Sequence, residues 1–127
     1  MNVILSIKPK YCEAIGKRTK KFEFRRKVFQ KDTKCVYMYS SYPVKKIVGK
    51  FLVEKILEDN PKALWESCKG FSGINEHSFF SYFDGVERGF AIEIKDVRMF
   101  QPIEPTLLRS DFHPPQSYCY LSDNVDF

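Results

Sequence analysis

The apolar positions along this chain change period several times, and each change marks an element. Val3-Ile4-Leu5-Ser6-Ile7 is a short, partly β-branched apolar run and predicts a first strand. Pro9 suits the first turn of a helix, where its missing N–H is not needed. Tyr11, Ala14 and Ile15 then recur at helical spacing, so a short helix is expected from Pro9 to about Gly16. Strict alternation follows: Phe22 and Phe24 point one way, Lys21, Glu23 and Arg25 the other. That pattern predicts a half-buried strand with an aromatic inner face. After a polar turn at Gln30-Lys31-Asp32-Thr33, Cys35 to Ser40 reads as another strand, broken by Pro43. Val44 to Leu57 reads as a longer strand, with Gly49 marking a bulge or bend.

Helical signals return at Asn60-Pro61, a cap and first-turn pair, with Leu64, Trp65 and Cys68 on one face. Asn75 caps a second helix in which Ile74 can staple onto Phe79; Tyr82 and Phe83 extend its apolar side, and Asp84-Gly85 stops it. Phe90 to Ile94 is a strand continuing toward Val97 and Phe100. Pro102, Pro105, Pro114 and Pro115 make 101–127 a tail of loops and short edge pieces packing on the rest. The expected fold is α+β: a small open β-barrel of about five or six strands, with a short helix after the first strand and two helices before the last long one. Residues 1–127 are read as one domain.

Charge changes the picture. The net charge is +5, and it is concentrated: Lys8, Lys10, Lys17, Arg18, Lys20, Lys21, Arg25, Arg26, Lys27 and Lys31 face only Glu13 and Glu23 within the same stretch, while Asp111, Asp123 and Asp126 lie near the other end. Such a block attracts polyanions, although a solvated lysine-rich face is the plainer account of charge alone. Cys12, Cys35, Cys68 and Cys119 are widely separated, with only His77 and His113 to join them, so neither a structural metal nor a cofactor is expected. With no leader-like start and no apolar run approaching a membrane span, a cytoplasmic protein with reduced thiols is expected.

The candidate chemistry centres on Lys20-Lys21-Phe22-Glu23-Phe24-Arg25-Arg26. A carboxylate between cations is held ionised and oriented, Arg grips phosphate through paired donors, and a Lys desolvated beside other cations can serve as a base. The competing account is an outer strand face with ordinary ion pairs. Tyr37, Tyr39, Tyr42, Trp65 and Phe71 offer stacking surfaces for a base but also fit core packing, and Ser40 can hydrogen-bond a ligand or serve a turn.

The runs Ile4 to Tyr11 and Thr19 to Arg26 resemble the opening of ASCH-domain proteins, with a Lys-x-x-Glu-x-Arg signature at Lys20, Glu23 and Arg25. Ile47-Val48-Gly49, Gly73-Ile74, Phe79 to Gly85, Gly89 to Ile94 and Pro114 to Tyr118 extend the similarity over nearly the whole chain. The resemblance implies a PUA-like barrel with a basic cleft that binds RNA or a nucleotide through Lys20, Lys21, Glu23, Arg25, Arg26, Arg18, Ser40 and Tyr39. It also implies an alternative, a hydrolase of RNA or of a modified nucleoside such as 4-acetylcytidine, with Lys20 and Glu23 catalytic. Members that cleave 4-acetylcytidine carry Thr where this chain has Glu23, plus a distant Glu for which Glu66 and Glu76 are the candidates. Arg18 stands where many members have Gly. A protein-interaction adaptor is the third reading.

Overall fold

The computed structural model describes residues 2–30 and 32–122, so Lys31, Asp123 and Asp126 lie outside the described residues. The first strand, β1, is Asn2–Ile7, and the helix α1 follows at Pro9–Gly16. The helix ends at Gly16, as expected, with Lys17 as its C-cap. A left-handed turn follows at Arg18 with φ 63°, and its guanidinium donates to the carbonyls of Gly16 and Val97. Those bonds support a backbone conformation that costs a residue with a Cβ about 1 kcal/mol. Gly is favoured in that conformation, so the expected departure from the ASCH pattern falls on a real turn.

Strand β2 is Phe22–Arg25, β3 is Cys35–Ser40 and β4 is Lys46–Asp59. Helix α2 is Pro61–Cys68, capped by the Asn60 side chain on the amide of Ala63, with one further 3₁₀ turn at Lys69–Phe71. Helix α3, Glu76–Tyr82, is capped by Asn75 on Ser78. Strand β5 runs from Gly89 to Ile103, and β6 is Tyr118–Leu121. The expected bulge is present, as the β4–β5 register shifts between Ile47 and Gly49.

The six strands form one curled sheet in the order β2-β5-β4-β3-β1-β6. All pairs are antiparallel except β1 with β3, which align Val3 with Val36 and Ile7 with Ser40. The tail thus contributes a true strand, β6, on the outer edge of β1. The sheet is a half-barrel accompanied by a few helices, as the α+β expectation had it.

Three apolar clusters hold this sheet. The first joins Leu5, Ile7, Val36, Met38, Phe51 and Ile92 to Cys12 and Ile15 of α1, so α1 closes the concave side. The second packs Ile4, Tyr37, Tyr39 and Ile47 beneath Leu108 and Phe112 of the C-terminal segment. The third sets Phe24 and Ala91 against Leu64, Phe79 and Phe83 of α2, α3 and the residue after it. Burial of such side chains contributes roughly 1.5–3 kcal/mol each.

Here one sequence expectation is corrected. Phe22 and Phe24 do not face the barrel interior; they lie under α2 and α3 on the outer side. Glu23, paired across from Ile92, points to the concave side instead. Both faces of β2 are covered, so alternation alone could not tell which row is the inner one.

Candidate functional site

Lys20 sits between α1 and β2, its amide donating to the Ala14 carbonyl at 3.2 Å. Its side chain is 2% exposed. The stem runs past Gly73, which has φ 67° and no Cβ; a Cβ there would lie 2.5 Å from Lys20 Cβ. The ammonium donates to the Ser72 carbonyl at 2.6 Å and stands 4.9 Å from the ring centroids of both Tyr11 and Phe24. Glu23 Oε1 is 3.7 Å from it. Burial lowers the Lys20 pKa against the pull of Glu23, and Arg25 lowers it further.

Glu23 is 5% exposed, which excludes the solvated-face account for this residue. Its Oε2 accepts from Arg25 Nη2 at 2.7 Å and Nε at 3.1 Å. Arg25 Nη2 also donates to the Ser6 carbonyl at 2.7 Å, and Nη1 lies 3.5 Å from Ser117 Oγ. One guanidinium therefore ties the β2 edge to β1 and to the segment entering β6. Lys20, Glu23 and Arg25 converge on one buried spot.

The neighbours add thiol, phenol and hydroxyl groups. Cys12 donates to the Ile7 carbonyl at 3.7 Å and hydrogen-bonds Ser40, which is 2% exposed. Burial pushes the Cys12 thiol up to about 12, so it stays protonated. Burial also raises the Tyr11 hydroxyl, opposed by Lys8 and helped by Glu23.

The other expected residues separate. Arg18 is exposed and bound to main-chain carbonyls beside a groove of about 780 Å³. Lys21 lines the same groove with its ammonium 4.2 Å from the centroid of the Phe71 ring. The opposite wall carries the ion pairs Lys95–Glu54 at 3.0 Å and Lys55–Glu93 at 3.9 Å, so both signs of charge meet there. Lys20 borders the same groove, whereas Glu23 and Arg25 do not. Arg26 turns away onto α3, 4.6 Å from the Tyr82 ring centroid, and donates to the Tyr82 carbonyl at 2.7 Å. Tyr39 packs on Phe112 in the second cluster, on the other face of β3 from Ser40, because neighbouring strand residues point to opposite sides.

Glu66 is exposed on α2 and engaged by Lys69 of the following turn, and Glu76 stands exposed at the start of α3; the charged neighbours of Lys20 are Glu23 and Arg25. Tyr37 and Trp65 are packed against core residues. Sequence reasoning gave no role to Tyr11, Cys12 or Ser117, and the acceptors offered by Ser6 and Ser72 are main-chain carbonyls that no side-chain pattern announces. Among the described residues no group of His, Cys, Asp and Glu could hold a metal ion, and no helix is long and apolar enough to cross a membrane.

No family model matches the chain. An ASCH domain-containing ribonuclease of Zymomonas mobilis is 29% identical over 122 residues, covering 93% of this chain and 82% of that protein. The crystal structure of the ASCH protein from Zymomonas mobilis superposes with a TM-score of 0.89 at 27% identity, over 96% of this chain and 88% of that one. A serine-to-alanine variant of the same protein gives 0.88 at 26% identity, over 96% and 89% of the two chains. In sequence and in fold the chain is similar to these ASCH proteins along nearly its full length.

Proposed function

We propose that this protein binds single-stranded RNA, with Lys20, Glu23 and Arg25 as the centre of the site. The carrying observation is the convergence of two cations and a carboxylate in a nearly dry setting: Lys20 is 2% exposed and Glu23 5%. Buried charge is costly unless it is paired, and perturbed groups cluster at functional sites. A phosphate approaching Arg25 would compete with the Ser117 hydroxyl, the longest of its contacts at 3.5 Å. Arg18, Lys21, Arg26 and Ser40 would act around this centre, the exposed cations by meeting more distant phosphates. Tyr39 has no part in this reading.

Cleavage of the bound RNA is the second reading, favoured by the lowered pKa of Lys20 and by the ribonuclease name of the Zymomonas relative. Lys20 in its neutral form would take the proton of a ribose 2′-hydroxyl. The 2′-oxygen would bond to phosphorus as the bond to the 5′-oxygen breaks, and that oxygen would leave with a proton from solvent. Glu23 would orient Arg25 and Lys20 as a positioning residue. Its carboxylate supplies no hydroxyl in place of the Thr of the 4-acetylcytidine hydrolases, so cleavage of that nucleoside is not proposed.

Titration with a short single-stranded RNA at low and moderate salt tests the first reading. Affinity should fall steeply with salt as counterions are released, and fall again in Lys20→Met and Glu23→Gln. Wild-type protein with no affinity at low salt would overturn it. Separating the RNA products after incubation tests the second: cleavage by wild type that Lys20→Met abolishes supports it, and intact RNA throughout refutes it.

A further inference from the structure

The loop after β3 exposes Tyr42 to 76% of its surface, against 49% for the exposed Phe71. Its backbone is nevertheless tied. The Ser41 amide donates to the Ile7 carbonyl at 3.0 Å, and the Val44 amide to the Ser41 carbonyl at 3.1 Å. Lys45 adopts φ 56°, a left-handed conformation unusual for a side chain with a Cβ, and its ammonium lies 5.4 Å from the Tyr42 ring centroid. Lys46 beside it is engaged by Glu104.

The position of this loop gives the exposure meaning. Ile7, which receives Ser41, is the neighbour of Ser6, whose carbonyl receives Arg25. Ser40, just before the loop, contacts Cys12 of α1. Lys8, at the start of α1, is exposed at the same end. Tyr42 therefore stands on the rim above the buried cluster, with one ring face toward Lys45 and the rest of its surface in water. Folding gains little from such a side chain. An exposed ring beside lysines has the composition of a platform on which a base stacks while cations meet the adjoining phosphates.

We propose that Tyr42 is that platform: a nucleobase adjacent to the nucleotide held at Lys20, Glu23 and Arg25 stacks on its ring, with Lys45 and Lys8 near the flanking phosphates. This rests on the RNA reading above and adds a second contact point to it.

The test compares a short single-stranded RNA with a mononucleotide, using wild type, Tyr42→Ala, Tyr42→Phe and Lys20→Met. Tyr42→Ala should weaken the oligomer about 5- to 100-fold, leave the mononucleotide and the melting temperature unchanged, and be rescued by Tyr42→Phe. The salt slope should also stay as in wild type, because the ring meets no phosphate. Wild-type affinity in Tyr42→Ala, with affinity lost in Lys20→Met, overturns the platform and leaves the RNA reading standing. Equal loss for oligomer and mononucleotide overturns the rim placement. Absence of any RNA binding by wild type defeats the reading on which the platform rests.

Discussion

Exchanging the Glu23 carboxylate for an amide of the same shape, Glu23→Gln, removes one charge from a trio that has little water. The anion accepts two donors from Arg25, at 2.7 and 3.1 Å, and faces the Lys20 ammonium at 3.7 Å. At that last separation a unit pair in a medium of effective dielectric 20 attracts by about 4 kcal/mol. Lys20 can limit the damage by giving up its proton, since its pKa is already lowered. Arg25 has no such escape, because a guanidinium stays charged. Breaking a buried pair at one partner typically costs 3–5 kcal/mol, and we expect Glu23→Gln to lose about 3 kcal/mol of unfolding free energy. Lys20→Met should cost about 1 kcal/mol or less, because Glu23 keeps Arg25 and an apolar stem fills the space. The double variant should then cost at least about 1 kcal/mol less than the two singles added, since removing the lysine also removes a cation that the neutral amide would leave stranded. Urea unfolding of the four proteins at neutral pH measures this directly. Costs that add within about 0.5 kcal/mol, or a Glu23→Gln loss below about 1 kcal/mol, would refute the shared buried field.

Three other outcomes follow from the same geometry. Gly73→Ala should destabilise by about 2–4 kcal/mol, from the left-handed φ and a Cβ only 2.5 Å from the Lys20 stem, and urea unfolding at wild-type concentrations would contradict it. The Lys20 pKa is depressed in the fold, so between its folded value and 10.5 the unfolded chain binds more protons and this group's contribution to stability rises with pH. The stability of wild type relative to Lys20→Met should accordingly improve on going from neutral to alkaline pH; a constant gap would show that the lysine is not desolvated. Cys12, raised to about 12 and 3% exposed, should resist thiol alkylation at mildly alkaline pH until the protein unfolds, which mass spectrometry of the labelled peptide checks.

Much of the architecture was readable because its signals are local. Pro9 and Tyr11 marked α1, Asn60 and Asn75 marked their helix starts, and the apolar run Cys35 to Ser40 matched a strand to the residue. What the pattern could not supply was which side each row faces. Glu23 looks like a surface residue by type, and only the covering of β2 by α2 and α3 on one side and α1 on the other reveals it as interior. The parallel pairing of β1 with β3 and the addition of β6 beside β1 depend on contacts distant in sequence. Of the residues the sequence proposed for the site, Lys20, Glu23 and Arg25 lie together in the fold, whereas Tyr39 lies on the opposite face of β3, one position of strand register from Ser40. The carbonyls of Ser6 and Ser72 belong to the folded backbone and leave no trace in composition.

The Arg25 side chain works as a rivet between the edge strand β2 and the β1–β6 end of the sheet. Its donors join a carboxylate on β2, a carbonyl on β1 and a hydroxyl ahead of β6. Any anion that recruits this fork must loosen one of those joints or share it, so occupancy and the hold on these segments draw on the same few protons. Arg25→Lys would keep the positive charge yet offer no planar fork able to span all three segments.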